Sequence, residues 1–187
     1  SRFKKIIEER NKCVGVDIEK SGLEKDNKKV DIYWDNKRLP FEDESFDIII
    51  CTEVLNQDDD VGNIINELKR VLKKGGKLFV TMAFIFAEHD IPYDFTRFTS
   101  FGIKKFFVEK KFKLIKFQKL LQGKKSIIQV LDSEFYRYIN ERCNKNNVFF
   151  YKFLFRIIIL TIVLIFKFLP KDIFYSLHTS NLIILEK

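Results

Sequence analysis

Short runs of apolar residues, rich in β-branched and aromatic types, recur along the chain and predict strands. These runs are 12–16, 30–33, 46–51, 77–81, 112–121 and 182–185. The run 46–51 is continuous rather than alternating, which is typical of a strand covered on both faces of a parallel sheet. The pattern therefore predicts six strands.

Stripes of apolar residues at helical spacing lie between these runs. They predict helices over 2–10, over 61–72, from Thr99 or Ser100 onward, and from Ser126 to about Arg142. Gly75 and Gly76 are expected to end the second of these helices. The alternation of strand and helix up to residue 81 is typical of βαβ units, so the fold class is α/β, with a parallel sheet and helices on both faces.

The most apolar stretch is 148–169, where Lys152, Arg156 and Lys167 interrupt the hydrophobic residues. A membrane-spanning helix needs roughly 20 apolar residues, and here only 157–166 is uninterrupted. Three interpretations stay open: a buried or paired helix, an interfacial helix whose basic residues reach lipid headgroups, and a spanning helix. The first two fit the pattern better than the third.

Composition narrows the class of protein. A chain of 187 residues with 46% hydrophobic residues fits one domain, 1–187, with a sizeable core. Its three Cys are widely spaced and its two His are far apart, which favours a reducing, cytoplasmic compartment and offers no metal site. The net charge of +8 favours anionic partners, but the excess Lys is scattered as on a solvated surface, and no recognised motif supports nucleic-acid binding.

Acidic residues stand at the carboxyl ends of the predicted strands, where open parallel sheets bind ligands. They are Asp17, Asp35 and Glu53, together with the loop 88–97. A carboxylate at such a position can accept hydrogen bonds from both hydroxyls of a ribose, because its two oxygens offer four lone-pair directions. An Asp that caps the following loop is the alternative for Asp17 taken alone.

The order and spacing of four segments carry a resemblance to a known family. These segments are 14–18, 35–47, 53–55 and 67–76. Together they resemble class I S-adenosylmethionine-dependent methyltransferases over roughly residues 10 to 110. The resemblance implies a Rossmann-like fold, a mostly parallel sheet with an antiparallel last strand, and a helical insertion over about 124–178.

The same resemblance implies a cofactor site for S-adenosylmethionine. In the family, the acid that matches Asp17 holds the ribose hydroxyls, and the acid that matches Asp35 lies by the adenine amino group. The neighbours Ile18 and Asn36 are placed in the same site. The matching segment of Cys51, Thr52 and Glu53 lines the methionine end of the cofactor.

The loop 88–99 is similar to one in a bacterial subgroup of the family, many of whose members sit among surface-polysaccharide genes. Acceptor-facing roles are expected here: His89 as a base for an acceptor hydroxyl, and Asp94 or Arg97 as the group that orients the acceptor. The alternative is a structural clasp, in which Tyr93, Asp94 and Arg97 hold the loop together.

Two departures from the family pattern stand out. No glycine-rich loop precedes residue 12, so the central first strand and the loop that approaches the cofactor's amino-acid portion are expected to be missing from this chain. Either a longer gene product supplied them, or they were trimmed, or the domain is a remnant that no longer binds cofactor. Asn56 and Gln57 stand where many relatives carry an acid and a His.

The expected function is methyl transfer from S-adenosylmethionine to a small-molecule, glycan or lipid-linked acceptor. The alternative is a non-catalytic methyltransferase-like module that binds a partner or a membrane. The helical insertion is the expected acceptor or membrane-docking element, with peripheral contact through 148–169 at the inner face of the membrane.

Overall fold

The computed structural model describes residues 12–18, 30–35, 37–142, 147–170 and 172–187. The helix predicted over 2–10, the site residue Asn36 and Cys143 lie outside them. In chain order the described elements are β1 Val16–Ile18, β2 Ile32–Trp34, β3 Phe46–Thr52, a short 3₁₀ helix Leu55–Gln57, α1 Val61–Val71, β4 Leu72–Ala83, α2 Ser100–Glu109, β5 Lys113–Leu120, α3 Lys124–Arg142, α4 Val148–Phe168 and β6 Ser180–Glu186.

The strands form two sheets, a parallel β1–β2 pair and a four-stranded sheet in the order β3–β4–β6–β5. The last strand, β6, runs antiparallel to both β4 and β5, while β3 and β4 are parallel. Thus β3, β4 and β5 point the same way and β6 alone is reversed in this sheet. The predicted antiparallel last strand is confirmed.

The hydrophobic core lies on one face of the larger sheet. Helix α1 presents its apolar stripe to this face, since the buried positions repeat at helical spacing: Val61, Ile64, Ile65, Leu68 and Val71. Alternate residues of the sheet meet them, such as Leu78 and Val80 of β4, because side chains on a strand point to opposite faces in turn. Ile103 and Phe107 of α2 belong to the same core.

The opposite face of β3 is open within the described residues. Ile48 and Ile50 are 58% and 55% exposed, whereas Cys51, on the α1 side, is buried. Among the described residues, no ladder joins β1 to β3. The interval between them is where the family resemblance implies a central strand.

Three boundaries differ from the sequence-based expectations. Helix α1 passes directly into β4 at Leu72, so Gly75 and Gly76 lie inside the strand instead of ending the helix. The pairing of β3 with β4 jumps over this segment, and a Cβ on Gly76 would lie 2.8 Å from the Lys73 carbonyl oxygen, so the glycine is needed for a bulge. Strand β1 begins at Val16 and contains Asp17, which was expected just after the strand.

Helix α3 packs differently from the expectation. The helical spacing of the apolar residues in this segment predicts that Leu131 and Tyr138 are buried, but both are exposed, and Ile139 is buried instead. The prediction fails for Leu131 and Tyr138 because apolar residues occur on more than one face of α3, while Phe135 of the predicted face does pack, on Phe155.

Candidate functional site

Asp17 lies within β1, and Asp35 directly follows β2, the strand that pairs with β1. Asp17 is in register with Tyr33, and Asp35 follows Tyr33 by two residues. Because side chains alternate with a period of two, Asp17 and Asp35 have the parity that places them on the same face. Their Cα atoms lie about 8 Å apart if the strand geometry continues to Asp35. Ile18, predicted to belong to the same site, pairs with Trp34 in this register.

Hydrogen bonds fix the amino-terminal starts of β1 and β2 and the turn that follows β2. The Gly15 N–H donates to Asp31 Oδ2 at 2.6 Å, and the Asp31 and Ile32 N–H groups donate to the Gly15 carbonyl. Beyond β2, the Lys37 N–H donates to Asp35 Oδ1 at 3.1 Å, which is the local turn that short acidic side chains favour. Asp35 therefore caps the loop that follows its strand, which is the role given above as the alternative for Asp17.

The segment after β2 is fastened to α1 through Arg70. Its guanidinium donates to the carbonyls of Leu39 at 3.0 Å and Phe41 at 2.8 Å, while Glu67 Oε2 accepts from the Leu39 N–H at 2.8 Å. The hydrogen bond from Arg70 also lowers the pKa of Glu67. Charged residues in the helix thereby fix where the chain leaves the strand tip.

A cavity of about 410 Å³ opens beside Asp35, within the range of small-molecule sites. Its walls come from the segment after β2, the start of α1 and the loop after β4, and its lining residues are Asp35, Lys37, Gln57, Asp58, Asp59, Asp60, Asn63, Tyr93 and Phe95. Four of these are carboxylates and one is a lysine. The cavity therefore favours a ligand that carries positive charge or hydrogen-bond donors.

The tip of β3 presents three residues with different environments. The Cys51 thiol is buried in the hydrophobic core, and this burial, with the nearby Glu53 carboxylate, raises its pKa to about 12. The Cys51 side chain thus belongs to the core, and a role of the segment 51–53 at the methionine end of the cofactor stays a prediction. Thr52 is exposed, and Glu53 is half-buried with a φ of 52°, in the left-handed region that non-glycine residues rarely adopt.

The predicted acceptor residues Asp94 and Arg97 form a tight clasp. Both oxygens of Asp94 accept from Arg97, and they also accept from the His89 N–H at 3.0 Å and from Asn56 Nδ2 at 3.3 Å. Burial raises the pKa of Asp94, but the hydrogen bonds from these donors outweigh it and lower the pKa to about 2. These contacts are those of the clasp alternative; an acceptor-orienting role for either residue stays a prediction.

His89 is placed differently, since its ring is partly exposed beside this clasp. Nδ1 lies 3.0 Å from the Ala87 carbonyl oxygen, and Nε2 lies 3.7 Å from Asp90 Oδ2. A neutral ring that donates from Nδ1 to the carbonyl leaves the lone pair on Nε2, which is the form that a general base needs.

Asn56 and Gln57 bind the loop 84–98, which we call the acceptor loop, near the tip of β3. The Asn56 carbonyl accepts from the Phe95 N–H at 2.8 Å, and Gln57 Nε2 donates to Asp90 Oδ2 at 2.7 Å. The sequence did single out Asn56 and Gln57, because they follow 53–55 directly, where many relatives carry an acid and a His. The sequence alone gave no indication that they bind the loop 84–98.

Comparison with known proteins gives two kinds of similarity. Residues 2–80 match the family described as Methyltransferase domain. The Methanocaldococcus jannaschii protein MJ1123 is 41% identical over 70 residues, which cover 36% of this chain and 34% of that protein. The sequence similarity is therefore concentrated in one part of the chain.

Solved structures share the fold over most of the chain. A putative sarcosine dimethylglycine methyltransferase from Galdieria sulphuraria matches with a TM-score of 0.51 and 15% identity over 83% of this chain and 58% of its own. The cyclase SpnF matches with a TM-score of 0.52 and 15% identity over 83% of this chain and 56% of its own. This chain thus spans little more than half of these structures.

A third structure, Haemonchus contortus phosphoethanolamine N-methyltransferase 2 in complex with S-adenosyl-L-methionine, has a TM-score of 0.50 at 15% identity, over 83% of this chain and 36% of its own. At such identities the likeness shows the fold, and a cyclase among the neighbours illustrates that one fold serves more than one chemistry. The solved structures show that this chain has the Rossmann-like fold of methyltransferases, as the resemblance drawn from the sequence implies, and its residues 2–80 match the family described as Methyltransferase domain.

Proposed function

We propose that the protein binds S-adenosylmethionine at the tips of β1 and β2 and transfers its methyl group to an acceptor hydroxyl held under the loop 84–98. The observation that carries the proposal is the register of the β1–β2 pair, in which Asp17 aligns with Tyr33, two residues before Asp35, so that strand alternation gives the two acids the same parity. The acidic cavity that begins at Asp35 and ends at the acceptor loop supports it.

The residues at these tips fit the chemistry of the cofactor. A ribose offers two hydroxyl donors and adenine offers an amino donor, and carboxylates are acceptors at neutral pH. Two acids whose Cα atoms would lie about 8 Å apart in ideal strand geometry suit the two ends of one adenosine. The four carboxylates of the cavity also favour the positive charge of a sulfonium.

When bound, S-adenosylmethionine supplies a methyl group on a sulfonium, so an O–C bond forms as the S–C bond breaks and the hydroxyl proton must leave. His89 accepts this proton at Nε2, while its Nδ1 stays bound to the Ala87 carbonyl. Asn56, Gln57 and the Asp94–Arg97 clasp position the loop that carries His89. Alignment and exclusion of water account for the remaining catalysis, as expected when the cofactor supplies the electrophile.

Calorimetric titration of S-adenosylhomocysteine into the full-length protein tests the cofactor site. Asp17→Ala is expected to weaken binding by roughly 1–3 kcal/mol, the scale of lost hydrogen bonds to a charged group. The matched control is Asp47→Ala, because Asp47 lies near the opposite end of β3, where it pairs with Lys73, and its loss should leave the affinity unchanged.

Two results would contradict the proposal. Equal affinity of Asp17→Ala and the unmodified protein would remove Asp17 from the site. Absence of binding heat at saturating ligand would instead favour the non-catalytic module.

The acceptor class is tested separately through His89. His89→Ala is expected to lower the rate of methyl transfer to hydroxylated acceptors while leaving S-adenosylhomocysteine affinity intact, because His89 acts on the acceptor proton and not on the cofactor. The conservative variant His89→Gln keeps a hydrogen-bonding side chain without a base. A rate for His89→Gln equal to that of the unmodified protein would exclude proton removal by His89.

A further inference from the structure

Helix α4 has an outward face that is apolar and uncovered by the described residues. Its members repeat at spacings of four and three, so they share one side of the helix. They are Phe153, Ile157, Leu160, Leu164 and Phe168, with exposed fractions of 57%, 45%, 62%, 54% and 90%. We call these five residues the outward face. Contiguous apolar surface of this kind marks a site of interaction.

The other side of α4 already has a partner, helix α3. Phe155 stacks on Phe135 with ring centroids 3.6 Å apart, and Lys124 of α3 donates to the carbonyls of Phe166 and Leu169 at the far end. The two helices therefore form an antiparallel hairpin. Pairing with α3 uses the inner side of α4 and leaves the outward face available.

Basic side chains border the outward face along one edge. Lys152, Arg156 and Lys167 follow spacings of four and eleven, so they lie on one ridge of the helix. Helix α4 contains no Asp or Glu. Lys152 and Arg156 also line a cavity of about 300 Å³ between α3 and α4, beside Asp132 and apolar residues, and Leu160 of the outward face stands at its edge. An apolar face with a cationic border complements a membrane surface with anionic headgroups.

Among the described residues, α4 is the one helix that is long and apolar enough to cross a membrane by length and composition. The hairpin argues against a crossing. The base of the hairpin is tied to the sheet region, where the Gly123 N–H donates to the Leu177 carbonyl at 2.9 Å. If α4 crossed the bilayer, α3 would have to return through it with Asp132, Glu134 and Arg137 near its middle. Such charges are costly in hydrocarbon.

We propose that the outward face of α4 docks in the interfacial plane of an anionic membrane, with Lys152, Arg156 and Lys167 at the headgroups. The helix lies along the surface and does not cross it. The sheet and the cavity beside Asp35 stay on the aqueous side. This docking is independent of the proposed methyl transfer, since it uses none of the residues assigned to that reaction.

Co-sedimentation with vesicles tests the docking surface. The chain is expected to sediment with vesicles of phosphatidylcholine and phosphatidylglycerol, to remain in solution with phosphatidylcholine alone, and to be released by high salt. Leu160→Ser combined with Leu164→Ser should lower the partition coefficient by at least roughly tenfold, because two apolar side chains no longer enter the interface. The matched control is Phe101→Ser combined with Val108→Ser, two exposed apolar residues of α2, which should change nothing.

A second double variant distinguishes a specific loss of membrane docking from misfolding of the protein. Lys152→Glu combined with Arg156→Glu keeps the apolar face and should abolish the preference for phosphatidylglycerol, while circular dichroism checks that the helices are retained. Sedimentation that ignores lipid charge would overturn the proposal, as would absence of binding to anionic vesicles. Retention in the membrane after alkaline carbonate would show a crossing helix, and concentration-dependent dimers without vesicle binding would show that a second copy covers the face.

Discussion

Helices α1 and α4 are both rich in apolar residues, yet they use them in opposite ways. Helix α1 buries every apolar residue of its stripe against the sheet, while α4, nearly twice as long, buries none fully. In α1 the apolar residues occupy one face and polar residues the other, so the helix can lie on a core. In α4 they surround the helix, and α3 covers only one side. Apolar content alone therefore does not tell a core helix from a docking helix.

The largest expected difference between α1 and α4 is in how much the truncation of one apolar side chain lowers the free energy of unfolding of the protein. Ile65 of α1 is fully buried, whereas Ile157 of α4 is 45% exposed. Ile65→Ala should lower the free energy of unfolding by about 2–5 kcal/mol, because it removes packed atoms and leaves a cavity. Ile157→Ala should lower it by less than about 1 kcal/mol. Urea unfolding measures both, and equal losses would contradict the contrast.

The clasp between Asp94 and Arg97 stabilises the acceptor loop, 84–98, by charge instead of apolar packing. Asp94→Asn should cost about 2 kcal/mol at neutral pH, because the folded pKa is about 2 and the unfolded value is close to 4. A lowered folded pKa contributes stability above the unfolded pKa and loses it as pH falls through the folded one. The difference between the unmodified protein and Asp94→Asn should thus vanish between about pH 4 and pH 2.

Urea unfolding at a series of pH values measures this difference. Asp132→Asn, on the exposed surface of α3, serves as the control for a carboxylate outside the clasp. A constant difference between Asp94→Asn and the unmodified protein across the acid range would mean that the carboxylate charge does not stabilise the clasp.

The smallest effect is expected at the base of the hairpin. Lys124→Met removes the ammonium that binds the Phe166 and Leu169 carbonyls and should cost about 1 kcal/mol. It should also speed amide hydrogen exchange in the last turn of α4. The exposed neighbour gives the control, Lys125→Met, for which no change is expected. Unchanged exchange in Lys124→Met would mean that packing alone holds the hairpin.

The strands and α1 could be predicted from the sequence because their patterns are local. A continuous β-branched run gives β3, and a single apolar stripe gives α1. The bulge at Gly75 and Gly76 could not be predicted, since it depends on how β3 and β4 pair. The inward face of α3 could not be predicted either, because it depends on contacts with distant residues.

The candidate site was predicted in part. The rule that acids at strand ends bind ligands identified Asp17 and Asp35 as candidates. The register of β1 with β2 then gives them the same parity along their strands. The buried thiol of Cys51 was missed, because a residue's position in a motif does not fix the side of the strand that it faces. The Arg70 clamp and the loop contacts of Asn56 and Gln57 join residues far apart in sequence, so no local pattern contains them.

A crystal structure of the full-length protein with S-adenosylhomocysteine is the most direct test of the adenosine site. We expect the Asp17 carboxylate within hydrogen-bond distance, about 2.5–3.2 Å, of both ribose hydroxyls and the Asp35 side chain beside the adenine amino group. A nucleoside bound elsewhere, with Asp17 and Asp35 both facing solvent, would contradict the account.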